Sequence, residues 1–395
     1  MICPRLTRGS SLSRGSFWLG HCFCVLALLG QWMLARPAVA QADESLEQEL
    51  RAMVQEHIVP MLEKRGAAPL AVGGFTAATS VKGSAGPEIQ MKLASILQEL
   101  GVAVDPDNYR YELSGNYLPY NDADSGLYGV KLIGRLVDAE SGTTLGEFPR
   151  FVFGTESVPR LLGLNVSTKG SRDPQVQSAA FRQAITQPTP YLTGSQLAAS
   201  PASQFAIELL LVERGQLKKV SLEKDTTGRP FASIPQDQVY AIRLLNHAEH
   251  EAAVSLTIDG VNVFHFSEQV PAPKYWVVPR RQGTTPGETI VRGWDKNAGQ
   301  SLEFKVVDFP DSAAARIKLD PNQGIGLITA TFAACWENEQ DRPRSEGRTR
   351  STGFGSEVVD PKTLVTRQVG QVRDVVTVRY QRDPQHSSPV LLQAR

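Results

Sequence analysis

Residues 253–266 read Ala-Val-Ser-Leu-Thr-Ile-Asp-Gly-Val-Asn-Val-Phe-His-Phe. Two runs of strand-forming residues, Ala253 to Ile258 and Val261 to Phe266, flank the dipeptide Asp259-Gly260. A two-residue type I′ turn needs positive φ at both central positions, and Asp-Gly meets that need with little strain. The stretch therefore predicts an antiparallel hairpin. On either side lie further short strand-like runs: Val239 to Leu245, Tyr275 to Val278, Thr289 to Gly293, Leu302 to Val307 and Gly326 to Phe332. Turn residues separate them, the pattern of an antiparallel sandwich or barrel. We place this sandwich-like domain at 229–336. Residues 337–395 follow as a polar, glycine-containing loop, Glu337 to Ser356, and a returning strand, Val375 to Tyr380.

Upstream the period changes. Ser45-Leu46-Glu47-Gln48 has capping-box spacing. Leu46, Leu50, Met53, Val54, His57, Met61 and Leu62 then recur at helical period, which puts His57 on the apolar face as a packed histidine. Leu70 to Phe75 suits a buried strand. A second helix opens with Pro87 at its first position and stops at Gly101. It aligns Ile89, Leu93, Ile96, Leu97 and Leu100, and Val102 to Val104 follows as a short strand. Tyr111 to Leu118, Tyr128 to Val137 and Thr144 to Phe153 then read as a meander. The fold class expected is α+β: a small α/β domain with a meander sheet at 44–153, then the antiparallel β-sandwich-like domain. The segment 154–228 between them is rich in Ser, Thr, Gln and Pro, and predicts a linker with partial structure. Gln204 to Val212 fits a helix or a strand equally.

Residues 1–40 have the three parts of a signal peptide. Arg5, Arg8 and Arg14 form a positive start, Phe23 to Leu34 an apolar run, and Ala38-Val39-Ala40 a small-x-small cleavage signature. Retention as a membrane anchor is the alternative to cleavage. Cys22 does not suit lipidation, because the apolar run follows it instead of preceding it. Cys3, Cys22 and Cys24 leave with this segment, so Cys335 remains alone and reads as a buried apolar filler. The expected location is periplasmic or secreted, with membrane contact only through the signal segment.

The chain has 395 residues, 41% apolar and 21% charged, an ordinary globular mix that supports a core without metal or disulfides. Forty-one basic residues balance forty-one acidic ones, so no global field draws nucleic acid, and none is expected as a partner. No convergent catalytic motif emerges, and no catalytic, cofactor-binding or metal-binding residue is expected. His247 and His250, with Glu249, Glu251 and His265 nearby, carry zinc-ligand chemistry, but their sequence reads as a solvated loop between strands. No Gly-x-Ser-x-Gly elbow is present, and Cys335 has no cationic neighbour in sequence to lower its pKa. Gly83-Ser84-Ala85-Gly86-Pro87 lacks the Gly-Lys-Ser/Thr of a phosphate loop, and Gly353-Phe354-Gly355 is a loop. Asp122, Asp124 and Ser125 lack the glutamate that closes a calcium loop and suit a hairpin tip. Asn165-Val166-Ser167 is a glycosylation sequon in a host that glycosylates. Tyr275, Trp276, Trp294 and Phe304 fall in strand-like runs, where aromatics serve either a core or an interface.

Three phrases carry a resemblance: Leu70-Ala71-Val72-Gly73-Gly74-Phe75, Tyr111-Glu112-Leu113-Ser114-Gly115-Asn116-Tyr117, and Leu132-Ile133-Gly134-Arg135-Leu136-Val137-Asp138 leading to Ser141-Gly142. With their order in the chain, they make the first domain resemble the bacterial envelope superfamily of penicillin-binding-protein activators and curli and flagellar assembly lipoproteins. The chain departs from that pattern in having no lipidated N-terminal cysteine. The second domain is similar to a β-rich module of uncharacterised bacterial proteins, through Val254 to Phe264, Gly293-Trp294, Leu302-Glu303-Phe304 and Gly324 to Thr329. The first resemblance implies a protein partner in envelope or cell-wall assembly. The function expected is a non-enzymatic exported cell-envelope protein acting through protein–protein contacts. The alternative is a secreted hydrolase of glycan or peptide, with Asp259, His265 and Glu268 as its least implausible residues.

Overall fold

In this computed structural model the described residues are 46–66, 68–78, 85–188, 190–225, 228–297, 299–319, 326–344, 346 and 364–381. The signal peptide, Gly83-Ser84 and Gly353-Phe354-Gly355 lie outside them. The class is α+β, with mixed and antiparallel sheets and no closed barrel among the described residues.

The first helix comes in two α-helical parts, α1 (Leu46–Met53) and α2 (Val59–Arg65), joined by a five-residue π-turn, Val54–Ile58. Pro60 explains the join: it has no N–H, and its ring would clash with the carbonyl four residues back. The helix widens there, and the Val59 N–H reaches back to the Val54 carbonyl. The extra residue turns the face, so Ile58 and Leu62 are buried while His57 is exposed. His57, expected within the packed face, instead stacks on Phe148 with ring centroids 5.2 Å apart. At the start of α1, the Leu46 N–H is capped by the Ser157 hydroxyl at 3.2 Å, a partner distant in sequence.

β1 (Leu70–Ala77) leads into α3 (Gly86–Glu99) and returns as β2 (Tyr111–Asn121), parallel to β1. β3 (Tyr128–Asp138) and β4 (Thr143–Val152) add antiparallel partners, giving the sheet order β1-β2-β3-β4. Gly101 ends α3 at φ +77°, a conformation that costs glycine least. The predicted strand Val102 to Val104 reduces to one bridge, Val104 to Leu70. Gly134 lets the helix approach the sheet, since a Cβ there would lie 2.6 Å from the Met53 sulfur.

Across 154–228 the chain forms α4 (Val158–Leu162), β5 (Val166–Ser167), α5 (Pro174–Thr186), β6 (Tyr191–Thr193), β7 (Gln196–Ala198), β8 (Phe205–Glu213), β9 (Gln216–Lys219) and β10 (Leu222–Lys224). This is more regular structure than the partial content expected. Average composition hides the cause: a few apolar anchors, Val158, Leu161, Leu162, Leu164, Val166 and Phe181, all enter the core beneath the first sheet. Asp173 caps α5 by accepting the Gln175 N–H at 2.9 Å.

The remaining strands are β11 (Pro230–Ser233), β12 (Val239–Asn246), β13 (Glu251–Ile258), β14 (Val261–Asn262), β15 (Trp276–Val278), β16 (Gly287–Val291), β17 (Gly293–Asn297), β18 (Gln300–Lys305), β19 (Leu327–Trp336) and β20 (Gln368–Gln381). A short helix, α6 (Ala313–Arg316), precedes β19. One sheet runs β10-β11-β20-β19-β13-β14, with β15 on β13 and β5 on β20. The other runs β17-β18-β12-β8-β7-β6, with β16 on β12 and β9 on β8. The β13–β14 turn places Asp259 at φ +53° and Gly260 at +76°, with Ile258 opposite Val261, as the type I′ reading requires. Between the two sheets lie Phe205, Leu209, Ile242, Val254, Phe332 and Val376, with Phe205 and Phe332 stacked at 5.1 Å.

β20 touches both halves of the molecule. Val375 belongs to the core under the first sheet, whereas Val376 and Val378 belong to the core between the sandwich sheets. The Asn165 side chain fastens the junction. Its amide nitrogen donates to the Thr377 carbonyl, and its oxygen accepts the Thr377 N–H, both at 2.9 Å. The sequon amide is thus occupied within the fold. None of the helices among the described residues is long and apolar enough to cross a membrane.

Candidate functional site

The hairpin that opens the sequence reading also positions a concavity. Past β14 the chain turns through Phe264, loops outward, and returns as the edge strand β15. There Trp276 stacks on Phe264 with centroids 5.1 Å apart. Together with Asp295 of β17 and the stretch 364–369 before and within β20, these residues line a groove of about 350 Å³. Its walls are mainly apolar: Val277 on the strand, and Leu364, Val365 and Val369 across from it. Tyr275 at the mouth is 41% exposed, and Leu364, Val365 and Val369 are exposed to a similar degree.

The polar groups in the groove are mostly engaged within the fold. The Thr289 hydroxyl donates to the Val277 carbonyl at 3.1 Å, and the Gln269 amide donates to Asp295 at 3.1 Å. Arg367 donates to Glu251 at 2.6 Å and lies 3.6 Å from Glu337. The Glu251 hydrogen bond is the main reason its pKa stands even above the ordinary arginine value. Lys274 differs: it is exposed on the groove wall and pairs with no carboxylate among the described residues. Such a site can bind by apolar contact and one cation.

The four aromatics divide. Phe304 is buried, Trp294 meets it edge-on at 5.5 Å and Phe266 at 5.4 Å, and Tyr275 and Trp276 face the groove.

The chemistry-bearing residues singled out in the sequence are dispersed. His250 bonds the Glu251 carbonyl at 2.9 Å, and burial lowers its pKa. Glu249 pairs with Arg281 and Glu251 with Arg367. Among the described residues no three His, Cys, Asp or Glu side chains could share a metal ion. Asp259, His265 and Glu268 have separate surroundings. Asp259 accepts the Gly326 and Leu327 N–H groups at 2.5 and 3.0 Å and the Tyr380 hydroxyl at 2.6 Å. Burial raises its pKa. His265 packs edge-on against Phe266, and burial lowers its pKa. Glu268 lies 3.9 Å from Lys296 on the surface. Asp122 accepts the Ser125 N–H at 3.2 Å at the tip of the β2–β3 hairpin. Cys335 is buried, and burial pushes its thiol up to about 12, far from a reactive thiolate.

Glu208 escaped the sequence reading altogether. It is fully buried on β8 and takes hydrogen bonds from Ser195 at 2.5 Å, Lys219 at 2.8 Å and Arg243 at 2.9 Å. The available signal was an acid set inside the apolar run Phe205 to Val212, which demands a buried cation.

No protein-family model matches the chain, and no curated protein matches it. Among solved structures, a PelC dodecamer from Paraburkholderia phytofirmans is similar over 30% of this chain and 85% of its own, at 20% identity and a TM-score of 0.18. A Xanthomonas campestris protein of domain family DUF330 is similar over 31% of this chain and 79% of its own, at 17% identity and a TM-score of 0.19. At such identities and scores, neither likeness carries an argument about what this chain does.

Proposed function

We propose that this is an exported, non-enzymatic protein of the cell envelope that works by holding a protein partner in the groove beside β15. The observation that carries the reading is the groove itself. Exposed Tyr275, Leu364, Val365 and Val369 gather round one concavity, while its polar side chains are largely committed to one another. Gathered apolar exposure of this kind marks contact surfaces. A hydrolase would need an acid and a base turned toward a common substrate. Asp259, one of the residues weighed for that role, is engaged in capping the start of β19. Export rests on the Arg-rich start, the apolar run and Ala38-Val39-Ala40.

A photo-crosslinking residue placed at Val365 in the expressed full-length protein tests both parts. The expected outcome is a discrete adduct to one envelope protein, on a chain whose N-terminus begins at Gln41. The adduct should vanish when Tyr275→Ala is combined with the probe. A chain that keeps Met1 in the cytosol, or a probe that gives no adduct above one placed at exposed Val176, would end the reading.

A further inference from the structure

Both walls of the groove are tied to one turn, residues 247–250 between β12 and β13. On one side, buried Asn246 donates its amide to the His250 carbonyl at 2.8 Å. The same amide reaches the Val278 and Pro279 carbonyls, at the end of β15, at 3.3 and 2.9 Å. On the other side, Glu251 receives Arg367 at 2.6 Å and so holds the 364–369 wall. His250 sits between the two ties.

Its surroundings keep it neutral. Nδ1 lies 2.9 Å from the Glu251 carbonyl, and because a carbonyl only accepts, Nδ1 carries the proton. Nε2 is then a bare acceptor, buried and without a hydrogen-bond partner among the described residues. From β8 the Phe205 ring packs against the imidazole, centroids 6.1 Å apart. Two charges act on it, Arg373 from β20 and Glu346 from the stretch after β19. Glu346 favours a proton on His250, but its oxygens already accept Arg373 at 2.9 Å and the Gln371 N–H at 3.2 Å. Gly370 hems that carboxylate in, since a Cβ there would lie 2.6 Å from its Cδ. Glu346 is therefore not free to turn toward a new N–H. Within the turn Glu249 pairs with Arg281, and Cys335, opposite Glu251 in the sheet, is a neutral thiol. His247 stands at the other end of the turn, its N–H on the Gln204 carbonyl at 2.8 Å.

Burial lowers the His250 pKa, with Arg373 acting in the same direction. The stability contributed by the neutral ring is complete above the ordinary 6.5 and is lost as pH falls through the lowered folded value.

We propose that His250 gates the groove. A proton on its Nε2 drives the ring out to water, breaks the Nδ1–Glu251 bond and slackens the turn that ties β15 and the 364–369 wall. A partner held near neutral pH is thereby released in acid. The release of a partner rests on the reading of the groove as the partner site; the motion of the walls does not.

Bimane on Val365→Cys, with Cys3, Cys22 and Cys24 changed to Ser, reports the groove's width through contact quenching by Trp276. Cys335 is buried and stays unlabelled, and Trp276→Phe sets the unquenched level. On the purified protein, emission should rise about threefold as pH falls from about 7.5 to about 5, while far-UV circular dichroism holds. His250→Gln, whose amide can still donate to the Glu251 carbonyl, should stay quenched throughout, and His247→Gln should follow the native chain. Arg367→Gln cuts one tie directly and should be bright at every pH, which decides the matter even if His250→Gln does not fold. A flat native titration, a rise that His250→Gln retains, or a rise that comes only with unfolding would overturn the inference. So would a full pH response in Arg367→Gln. The yield of the Val365 photo-adduct should fall over the same range, and a steady yield beside brightening bimane also counts against the gate. Brightening as expected with no adduct at any pH leaves the gate in place and sinks the partner reading.

Discussion

On the outer face of the β8–β12 pair, Glu208 lies fully buried among Lys219, Arg243 and Ser195. At the β13–β14 turn, Asp259 is also enclosed, but its partners are two backbone amides and a tyrosine hydroxyl. Both carboxylates pay a desolvation penalty, and the two sites answer it differently. For Glu208, burial alone would raise the pKa, yet the donors Lys219 and Ser195 and the charges of Lys219 and Arg243 outweigh it and hold the pKa below the ordinary value. For Asp259, burial prevails over its neutral donors and the pKa rises. Enclosure does not by itself decide a carboxylate's charge; the presence of a cation beside it does.

The comparison can be broken most severely at Glu208. Glu208→Ala leaves Arg243, which is only 21% exposed, with the half-exposed Glu288 at 3.6 Å as its remaining carboxylate, and should cost about 3 kcal/mol, read from urea unfolding. A loss near zero would mean that Arg243 finds water easily and the site is not sealed. Asp259→Ala should cost about 2–3 kcal/mol, because it removes the acceptor of the Gly326 and Leu327 amides and one bond of Tyr380, and puts a Cβ residue of no turn preference at φ +53°.

Acidity sharpens the contrast further. The stabilisation from ionised Glu208 is complete above its unfolded value of 4.5 and is lost as pH falls through the lowered folded value. The contribution of Asp259 runs the other way. It is complete below the unfolded value of 3.8 and is lost as pH rises through the raised folded value. The stability gap between the native protein and Glu208→Gln should therefore widen as pH rises, while the gap to Asp259→Asn should narrow. Urea midpoints collected between about pH 3 and 7 check this, and slopes of the same sign would sink the comparison. Smallest of all, Arg135→Ala should leave the midpoint within error. Its pair with Glu147 is half-exposed on both sides, and such surface pairs contribute little.

These two sites also mark how far the sequence could be read. Asp259 was legible as a turn residue because Asp-Gly between alternating runs is a local signal. Its bonds to Gly326, Leu327 and Tyr380 were not, because they join positions far apart in the chain. Glu208 was hidden by the same distance: Ser195, Lys219 and Arg243 come from three neighbouring elements, and no window of sequence holds them together. The meander Tyr111 to Phe153 was readable strand by strand, since its runs alternate or are rich in strand-forming residues. His57 was misplaced because Pro60 shifts the helical period by one residue, which a fixed 3.6-residue pattern does not register. In 154–228 the anchors such as Phe181 are too sparse to lift a polar average. The groove shared this fate, since Trp276 and Val365 stand almost ninety positions apart.

β20 serves as a common wall, with neighbouring valines turned into different interiors. It is also the last strand in chain order among the described residues. Neither interior is closed until that stretch docks, so both cores keep apolar surface open for as long as β20 is unpaired.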